Sequence, residues 1–322
     1  MRKTLLFIFL SVSILFITCL SGCSQTEVAS AGKNVQSEQN IVRIGYQKNC
    51  PFVILKGLGT LEEQLEPLGF EVEWKEFQSG PALMEAFNAG SIDVGRTGNS
   101  PIVFAQAAGT SFVSLAAGKP KFHGSGILVH NDSSIKEIGD LKGKTVSFAK
   151  GSSSHYLIVK ALQEAGLSYS DITPAYLSPG DARVAFEQGN VDAMVVWDPF
   201  TASTELNSDG VLLTSGEGLS TDRDFFIATD SFASEQKDIA NIIIEEVEKS
   251  SDWANNNHDE LVSMLAPILN IDEASIKMAV ERRFYGIDEI NDEVIAEQQD
   301  IADIFYDLDI IPTKIDVSEM MK

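Results

Sequence analysis

The chain has 322 residues with 44% hydrophobic composition, and its formal net charge at pH 7 is −23. A chain of this length and composition can bury a sizeable hydrophobic core. The strongly acidic balance excludes nucleic acid as a ligand and argues against broad attraction to anionic lipid. Any anionic ligand must therefore be held by local hydrogen-bond donors.

The amino-terminal segment is typical of a secreted lipoprotein. Two basic residues precede an apolar run at 5–20, and a Leu-Ser-Gly-Cys motif ends at Cys23. We expect residues 1–22 to be a signal peptide, Cys23 to carry lipid, and residues 23–40 to form a flexible tether. The protein would then be extracytoplasmic and anchored to the cell membrane. An uncleaved membrane anchor is the alternative, although the apolar run is short for a membrane span.

The three cysteines leave one free thiol in the mature chain. Cys19 would leave with the signal peptide and Cys23 would carry lipid, so no disulfide is expected within the mature chain. Cys50 is interpreted as a small structural residue near a helix start, and a reactive thiol is the alternative.

The predicted strands and helices alternate along most of the chain, which favours an α/β fold. Strands are predicted at 41–46, 70–76, 92–95, 112–117, 125–129, 145–148, 175–177, 193–197, 211–213 and 225–229. After residue 231 the pattern is helical alone. We expect two lobes, each a mostly parallel sheet flanked by helices, with lobe 1 at 41–129 plus 225–322 and lobe 2 at 130–224. The chain would cross between the lobes near His130 and Arg223, forming a hinge.

One pattern, AFxxGx(I/V)D, occurs at 86–93 and again at 185–192. Each copy predicts a helix that ends at glycine, followed by a short strand. The strands are followed by Asn-Ser-Pro at 99–101 and Trp-Asp-Pro at 197–199. The serine and aspartate of these triplets are expected as helix N-caps, with proline at the first helical position. Because ligands in open α/β sheets lie beyond the carboxyl ends of strands, a clamp for a small polar molecule or anion is predicted.

Several loops in these positions offer hydrogen-bond donors. Gln47 and Lys48 follow the first strand, and an ordinary solvated turn is the alternative there. Arg96 is expected to point outward or to form an ion pair between the lobes, and an inward role as an anion ligand is the alternative. The next four residues offer hydroxyl, amide and backbone donors: Thr97, Gly98, Asn99 and Ser100.

Donors also occur in the second half of the chain. Ser152, Ser153 and Ser154 begin a helix and can donate to one tetrahedral anion. His155 is either a structural residue or a ligand contact, and the sequence favours neither interpretation. Trp197 would form an apolar wall, and Asp198 would act chiefly as a cap. Either Arg283 or its neighbour Arg282 could reach the cleft, although both also suit the end of a helix.

No catalytic or metal-binding motif is recognisable in the sequence. It lacks GxSxG and HExxH, and its four histidines are scattered. We therefore expect no enzymatic activity, no metal and no cofactor.

Five motifs taken together carry a family resemblance: GYQK at 45–48, TGNSP at 97–101, KGSSSHY at 150–156, WDP at 197–199 and RRFYG at 282–286. In this order they resemble the aliphatic sulfonate-binding proteins of ABC importers. The resemblance implies a type II periplasmic-binding-protein fold, a monomer, no catalysis, and delivery of a small organosulfonate to a membrane permease. It further implies that sulfonate oxygens meet Gln47 and the loops at 97–100 and 152–154, with Trp197 against the carbon part.

The chain departs from the family pattern at Asn99, where aspartate is frequent, and at Arg96, where an uncharged residue is frequent. The first departure counts against an amine-bearing ligand such as taurine, and the second leaves a sulfo-carboxylate or dicarboxylate open. Nitrate, bicarbonate and a pyrimidine-type heterocycle remain alternative ligands. An enzyme on the same fold and a sensory lipoprotein are alternatives of other classes.

Overall fold

The computed structural model describes residues 40–48 and 50–321. The predicted signal peptide at 1–22, the predicted lipid-bearing Cys23 and all of the predicted tether except Asn40 lie outside the described residues. Within the described part, no helix combines the length and the apolar character that a membrane span requires.

The first lobe is built on a six-stranded sheet in the order β11-β4-β10-β3-β1-β2. Its strands are β1 (Asn40–Tyr46), β2 (Phe70–Glu76), β3 (Val94–Gly98), β4 (Val113–Gly118), β10 (Asp224–Ala228) and β11 (Ile287–Asp288). Strand β1 runs parallel to β2 and β3, whereas β10 runs antiparallel to both β3 and β4.

The second lobe is built on a five-stranded sheet in the order β7-β6-β8-β5-β9. Its strands are β5 (Ser125–His130), β6 (Thr145–Phe148), β7 (Thr173–Tyr176), β8 (Ala193–Trp197) and β9 (Gly210–Ser215). Strand β6 runs parallel to β7 and β8, whereas β5 runs antiparallel to β8 and β9.

The expected two-lobe α/β fold is confirmed, but both sheets are mixed rather than mostly parallel. The antiparallel strands β5 and β10 are the ones that enter each sheet directly from the other lobe. Such a strand needs no helical crossover, so the rule that favours parallel neighbours does not apply to it.

The predicted boundary at residue 129 is wrong by the length of one strand. Residues Ser125–His130 pair with β8 and β9 and so belong to the second lobe. The chain therefore crosses between the lobes at 119–124 and again at 216–223. The hydrophobic run of β5 gave no indication of which sheet it joins, because both sheets accept buried apolar strands.

Helices cover the sheets of both lobes. They are α1 (Pro51–Leu58), α2 (Thr60–Leu65), α3 (Gly80–Asn88), α4 (Asn99–Ala107), α5 (Ser153–Glu164), α6 (Pro179–Glu187), α7 (Phe200–Asn207), α8 (Asp230–Glu235), α9 (Lys237–Asn256), α10 (His258–Leu269), α11 (Glu273–Glu281) and α12 (Asp292–Asp307). The predicted helical tail packs on the first lobe, where Ile243 and Val247 of α9 join Val42 and Ile44 of β1 in one core.

The repeated pattern produces the same local structure in both lobes. Helices α3 and α6 are each followed by a glycine with φ of 69°, Gly90 and Gly189. In each copy the final aspartate then binds the neighbouring strand: Asp93 accepts from the Arg43 backbone N–H at 2.9 Å, and Asp192 accepts from that of Thr145 at 2.8 Å. The repeat therefore encodes both a helix end and the register between two strands.

Candidate functional site

Two adjoining cavities, of about 300 and 270 Å³ including their openings to solvent, lie between the lobes. Four side chains line both of them: Arg96, Lys121, Trp197 and Asp222. The first cavity also contacts Gly124, Ser125, Asp198, Ala279 and Arg283, and the second also contacts Gln47, Gly80, Gly98, Pro101, Ser152 and Ser153. We call the two spaces together the inner cavity.

The loop after β3 approaches the second lobe closely at Gly98. A Cβ atom at this position would lie 2.4 Å from the Ser153 hydroxyl oxygen, so a larger residue would force this hydroxyl to move. Thr97 is fully buried, and its hydroxyl has no hydrogen-bond partner among the described residues. This loop therefore places backbone and hydroxyl groups beside the inner cavity.

Asn99 and Ser100 hold the start of α4 instead of lining the inner cavity. The Asn99 side-chain oxygen accepts from the Ser100 backbone N–H at 2.8 Å, and the Asn99 carbonyl accepts from Gln298 at 2.5 Å. The N-cap of α4 is Gly98, not Ser100 as predicted, because the helix begins one residue before Ser100. Pro101, which was expected at the first helical position, is consequently the third helical residue.

The serines at the start of α5 face the loop after β3. Ser152 is the N-cap of α5, and its hydroxyl donates to the Ala149 carbonyl at 2.7 Å. Ser153 lines the inner cavity. The buried Ser154 hydroxyl has no hydrogen-bond partner among the described residues. The first turn of α5 thus directs helix N–H groups and at least one hydroxyl at the space between the lobes.

His155 is a structural residue of this loop. Its Nδ1 accepts from the Gly151 backbone N–H at 3.2 Å, and its Nε2 lies 3.0 Å from the Tyr169 hydroxyl. Burial lowers the pKa of His155 to about 3, so the ring is neutral at physiological pH. Of the two interpretations left open by the sequence, the structure favours the one without ligand contact.

Trp197 and Asp198 continue from the end of β8 into the inner cavity. Trp197 lines both parts of it. The N-cap of α7 is Pro199, not Asp198 as predicted, and Pro199 is therefore not the first helical residue, although Asp198 Oδ1 accepts from the Ala202 backbone N–H at 3.0 Å. Burial raises the pKa of Asp198 to about 7, and the nearby Arg282 opposes that rise.

Arg96 points inward, which corrects the expectation that it faces solvent or joins the two lobes. Its side chain is 6% exposed and forms an ion pair with Asp224, which lies on the neighbouring strand of the same lobe. Arg96 Nη1 also donates to Gln47 Oε1 at 3.4 Å. Side chains alternate between the two faces of the sheet along the strand after Asp93, and Arg96 projects toward the cleft. This direction depends on which face of the sheet the rest of the protein covers.

A cluster of five charged residues forms the base of the inner cavity. Lys121 Nζ lies 2.5 Å from Asp222 and 3.5 Å from Asp224, and Arg283 Nη2 lies 2.6 Å from the other Asp224 oxygen. Arg96 completes the group. We call Arg96, Lys121, Asp222, Asp224 and Arg283 the charged cluster.

The charged cluster carries one net positive charge, because three cations face two carboxylates. Burial lowers the pKa of Arg96 to about 10 and that of Lys121 to about 8, so both remain mainly protonated at neutral pH. An excess charge in a buried site is unfavourable unless an opposite charge offsets it. With Asp198 protonated, the inner cavity is therefore electropositive inside a protein whose net charge is strongly negative.

The structure brings some predicted residues to the inner cavity and leaves others away from it. Gln47, Gly98, Ser152, Ser153, Trp197, Asp198 and Arg283 line it. Lys48 instead donates to the Leu269 carbonyl at 2.8 Å, at the end of α10. Arg282 pairs with Glu205 of the second lobe and lies 3.7 Å from Asp198.

The sequence interpretation did not include Lys121, Ser125 and Asp222 as site residues. All three lie in or beside the crossings between the lobes, and the Ser125 hydroxyl donates to Asp222. The available signal was charge: TDRD at 221–224 stands at the predicted second crossing, whereas KPK at 119–121 lies about ten residues before the predicted first crossing near His130. A crossing segment passes beneath an interlobe cleft, so its charged residues are candidates for the site.

Comparison with known proteins gives consistent matches over most of the chain. Residues 58–215 match the family model described as the periplasmic substrate-binding protein of a phosphonate ABC transporter. The chain is 37% identical over 285 residues to the "Putative aliphatic sulfonates-binding protein" of Escherichia coli (strain K12), covering 88% of this chain and 89% of the relative. The protein of the same name in Bacillus subtilis (strain 168) is 31% identical over 314 residues, covering 96% and 92%.

A solved structure extends this likeness to three dimensions. The alkanesulfonate-binding protein SsuA from Xanthomonas axonopodis pv. citri bound to MOPS superposes with a TM-score of 0.83 at 34% identity, covering 87% of this chain and 97% of that one. The desulfurization enzyme DSZB superposes with a TM-score of 0.61 at 11% identity. That distant likeness concerns the fold alone.

Proposed function

Since this chain belongs to the family of aliphatic sulfonate-binding proteins of ABC importers, we propose that its inner cavity captures a small organosulfonate for delivery to a membrane permease. The observation that carries the proposal is the net positive charge of the charged cluster in a buried cleft. A sulfonate is a monoanion at every physiological pH, so one sulfonate offsets this charge. No catalytic step is part of this function.

The donors around the inner cavity suit a tetrahedral oxyanion. Ser153, with the backbone N–H groups at the start of α5, approaches from the second lobe, and Lys121 approaches from the crossing segment. Gln47 accepts from Arg96 through Oε1, an orientation that leaves the donor end of the amide for the ligand. Each charge-assisted hydrogen bond contributes about 1.5–3 kcal/mol, so three or four are sufficient for micromolar affinity, near −8 kcal/mol.

Binding would couple to closure of the lobes. The donors come from both lobes and from the first crossing, so the ligand makes its full set of contacts only when the lobes are together. A ligand with better contacts in the closed state shifts the open–closed equilibrium toward it. We expect the permease to recognise the closed form.

The cellular setting follows from the family and from the amino-terminal sequence. Periplasmic and extracytoplasmic relatives support an extracytoplasmic location. We propose in addition that Cys23 is lipidated and holds a monomer at the membrane, because an apolar run and Leu-Ser-Gly precede it. Mass spectrometry of the amino-terminal peptide and the sedimentation of the purified protein test these two points.

The proposal is tested by isothermal titration calorimetry on protein that begins after Cys23. The ligands are linear alkanesulfonates, taurine, sulfoacetate, nitrate and sulfate. We expect one-to-one binding of an alkanesulfonate at micromolar affinity or tighter. Binding of nitrate alone, or no heat from any sulfonate on folded, ligand-free protein, would reject the proposed ligand class.

A pair of lysine variants shows whether the charged cluster is the binding site. Lys121→Gln removes one cation from the cluster, and we expect at least a hundredfold loss of alkanesulfonate affinity because the net positive charge disappears. Lys119→Gln is the matched control, since Lys119 lies two residues away and pairs with Asp288 at the surface. Thermal melts check that both variants are folded. Equal affinity of the two variants would place the anion elsewhere.

A further inference from the structure

A second space opens beside the inner cavity, between the first crossing segment and the residues that follow α11. It encloses about 850 Å³, including its opening to solvent, and we call it the outer pocket. Its walls include Pro120, Phe122 and His123 on one side, with His258 and Phe284 on the other. The outer pocket thus combines aromatic and aliphatic surface with an opening to solvent.

The outer pocket adjoins the anion site. Lys121 and Arg283 line both the inner cavity and the outer pocket, so these two side chains form the wall between them. Their charged ends are held in the charged cluster by Asp222 and Asp224. The aliphatic stem of Lys121 and the flat guanidinium of Arg283 offer surfaces along which a hydrocarbon chain can lie.

Phe284 is unusually exposed for a side chain in a fixed loop. It is 64% exposed, the largest exposure among the described large hydrophobic residues. The backbone of the next residue, Tyr285, is hydrogen-bonded to the Asn255 side chain of α9. Its N–H donates to Asn255 Oδ1 at 2.9 Å, and its carbonyl accepts from Asn255 Nδ2 at 2.8 Å. The backbone therefore keeps this phenyl ring at the edge of the outer pocket, where a ligand can cover it.

The inner cavity is too small to hold a ligand with a long organic part. The inner cavity is enclosed by lobes that contact each other on both sides, through Tyr156 and Asp300 on one side and through Arg282 and Glu205 on the other. A ligand with a long organic part must leave this space without separating the lobes. The outer pocket lies next to the inner cavity and opens to solvent beside the crossing segment rather than between the lobe faces.

The charges around the outer pocket favour the same class of ligand. Lys121, Arg282 and Arg283 contribute positive charge, and Glu281 is the single carboxylate that lines this pocket. A monoanionic ligand therefore meets no concentration of negative charge here, although the chain as a whole is acidic.

We propose that the outer pocket binds the organic part of sulfonates too long for the inner cavity, with Phe122 and Phe284 as the residues that determine this specificity. The preferred ligands of this kind are long-chain or aromatic monosulfonates, whose sulfonate stays in the inner cavity. This inference rests on the proposed function, because it assigns a second contact region to the same ligand.

Calorimetry with a series of ligands tests it on wild-type protein and on Phe284→Ala. The probes are ethanesulfonate, butanesulfonate, octanesulfonate and benzenesulfonate. We expect Phe284→Ala to weaken octanesulfonate binding by about tenfold and to leave ethanesulfonate binding unchanged. Tyr306→Ala is the control, because Tyr306 is an exposed aromatic residue on α12, away from the pocket. Phe122→Ala should reproduce the effect from the opposite wall.

The possible failures are distinguishable. If ethanesulfonate binds but Phe284→Ala and Phe122→Ala affect both chain lengths equally, the outer pocket takes no part in binding and the inference is overturned. A stoichiometry of two for octanesulfonate also overturns it, because the pocket then holds a separate molecule. If neither ethanesulfonate nor octanesulfonate binds wild-type protein, the proposed function fails and the inference fails with it.

Discussion

Asp198 is the residue of the inner cavity that changes its charge nearest to neutral pH. Its Oδ2 is buried, and no hydrogen-bond partner for it occurs among the described residues. Burial raises its pKa to about 7, while Arg282 and Lys121 favour its ionised form and Glu205 opposes it. When Asp198 ionises, the cavity gains a negative charge, which cancels the excess positive charge of the cluster.

This titration predicts proton-linked ligand binding. A bound anion favours the neutral form of Asp198, so the complex takes up a proton, and affinity falls as pH rises through 7. We expect alkanesulfonate affinity to drop by about fivefold between pH 6 and 7.5 in the wild type. The Asp198→Asn variant should lose most of this dependence.

Calorimetry at the two pH values measures the effect. Buffers of different ionisation enthalpy reveal the proton uptake directly. Lys121, whose pKa is lowered to about 8, accounts for the part of the pH dependence that remains in Asp198→Asn. Identical pH profiles for wild type and variant would show that Asp198 does not titrate in this range.

At the scale of elements, the starts of α4 and α5 meet across the cleft. These two helices come from different lobes, and α5 directs unpaired N–H groups at the inner cavity, whereas the Ser100 N–H of α4 is already bonded to Asn99 Oδ1. Gly98 is the N-cap of α4 and has φ of −81°, which any residue can adopt. The need for glycine here therefore arises from the approach of Ser153 and not from backbone conformation.

Gly98→Ala is expected to hinder closure without destabilising the open protein. The new methyl group would overlap the Ser153 hydroxyl, and we expect ligand affinity to fall about tenfold, or ~1.4 kcal/mol. Gly180→Ala in α6 is the control, because nothing lies within 4 Å of a Cβ there. Calorimetry measures affinity, and thermal melts of the ligand-free variants should stay close to wild type. A normal affinity for Gly98→Ala would mean that the lobes close less tightly than observed here.

At the scale of the whole molecule, contacts between α5 and α12 help hold the lobes together. The Tyr156 hydroxyl donates to Asp300 Oδ2 at 2.8 Å, and Lys160 Nζ lies 3.7 Å from the same oxygen. Burial and the neighbouring Asp300 raise the pKa of Tyr156, so the phenol stays protonated and keeps its donor role. These contacts exist only when the lobes are close.

Asp300→Ala is therefore expected to shift the equilibrium toward the open form. Ligand should dissociate about three- to tenfold faster, since the closed state loses a partly buried hydrogen bond worth about 1 kcal/mol. Asp303→Ala, on the same helix but facing Lys314 of the same lobe, is the control. Stopped-flow fluorescence of Trp197 follows dissociation, and small-angle scattering compares the ligand-free radii of gyration. Unchanged kinetics in Asp300→Ala would assign closure to the contacts on the opposite side of the cleft.

Much of the fold could be predicted because its signals are local. The helix ends at Gly90 and Gly189 depend on a few neighbouring residues, and so does the start of α5 at its three serines. The five family motifs are likewise short stretches of sequence, and they led to the same family that the relatives indicate. The serine loop and Trp197 line the inner cavity, and the signal that pointed to them was their place at or just after the end of a strand.

The chain's own sequence thus determined the α/β class, the two lobes, the family and the loops beside the cleft. Only the tertiary structure decided the inward direction of Arg96, the roles of Lys121 and Asp222, the lobe that receives β5, and the mixed direction of both sheets. Each of these depends on contacts between segments far apart in sequence: Arg96 meets Asp224 more than a hundred residues later. Local propensity carries no information about such partners, because it is the packing of the whole chain that brings them together.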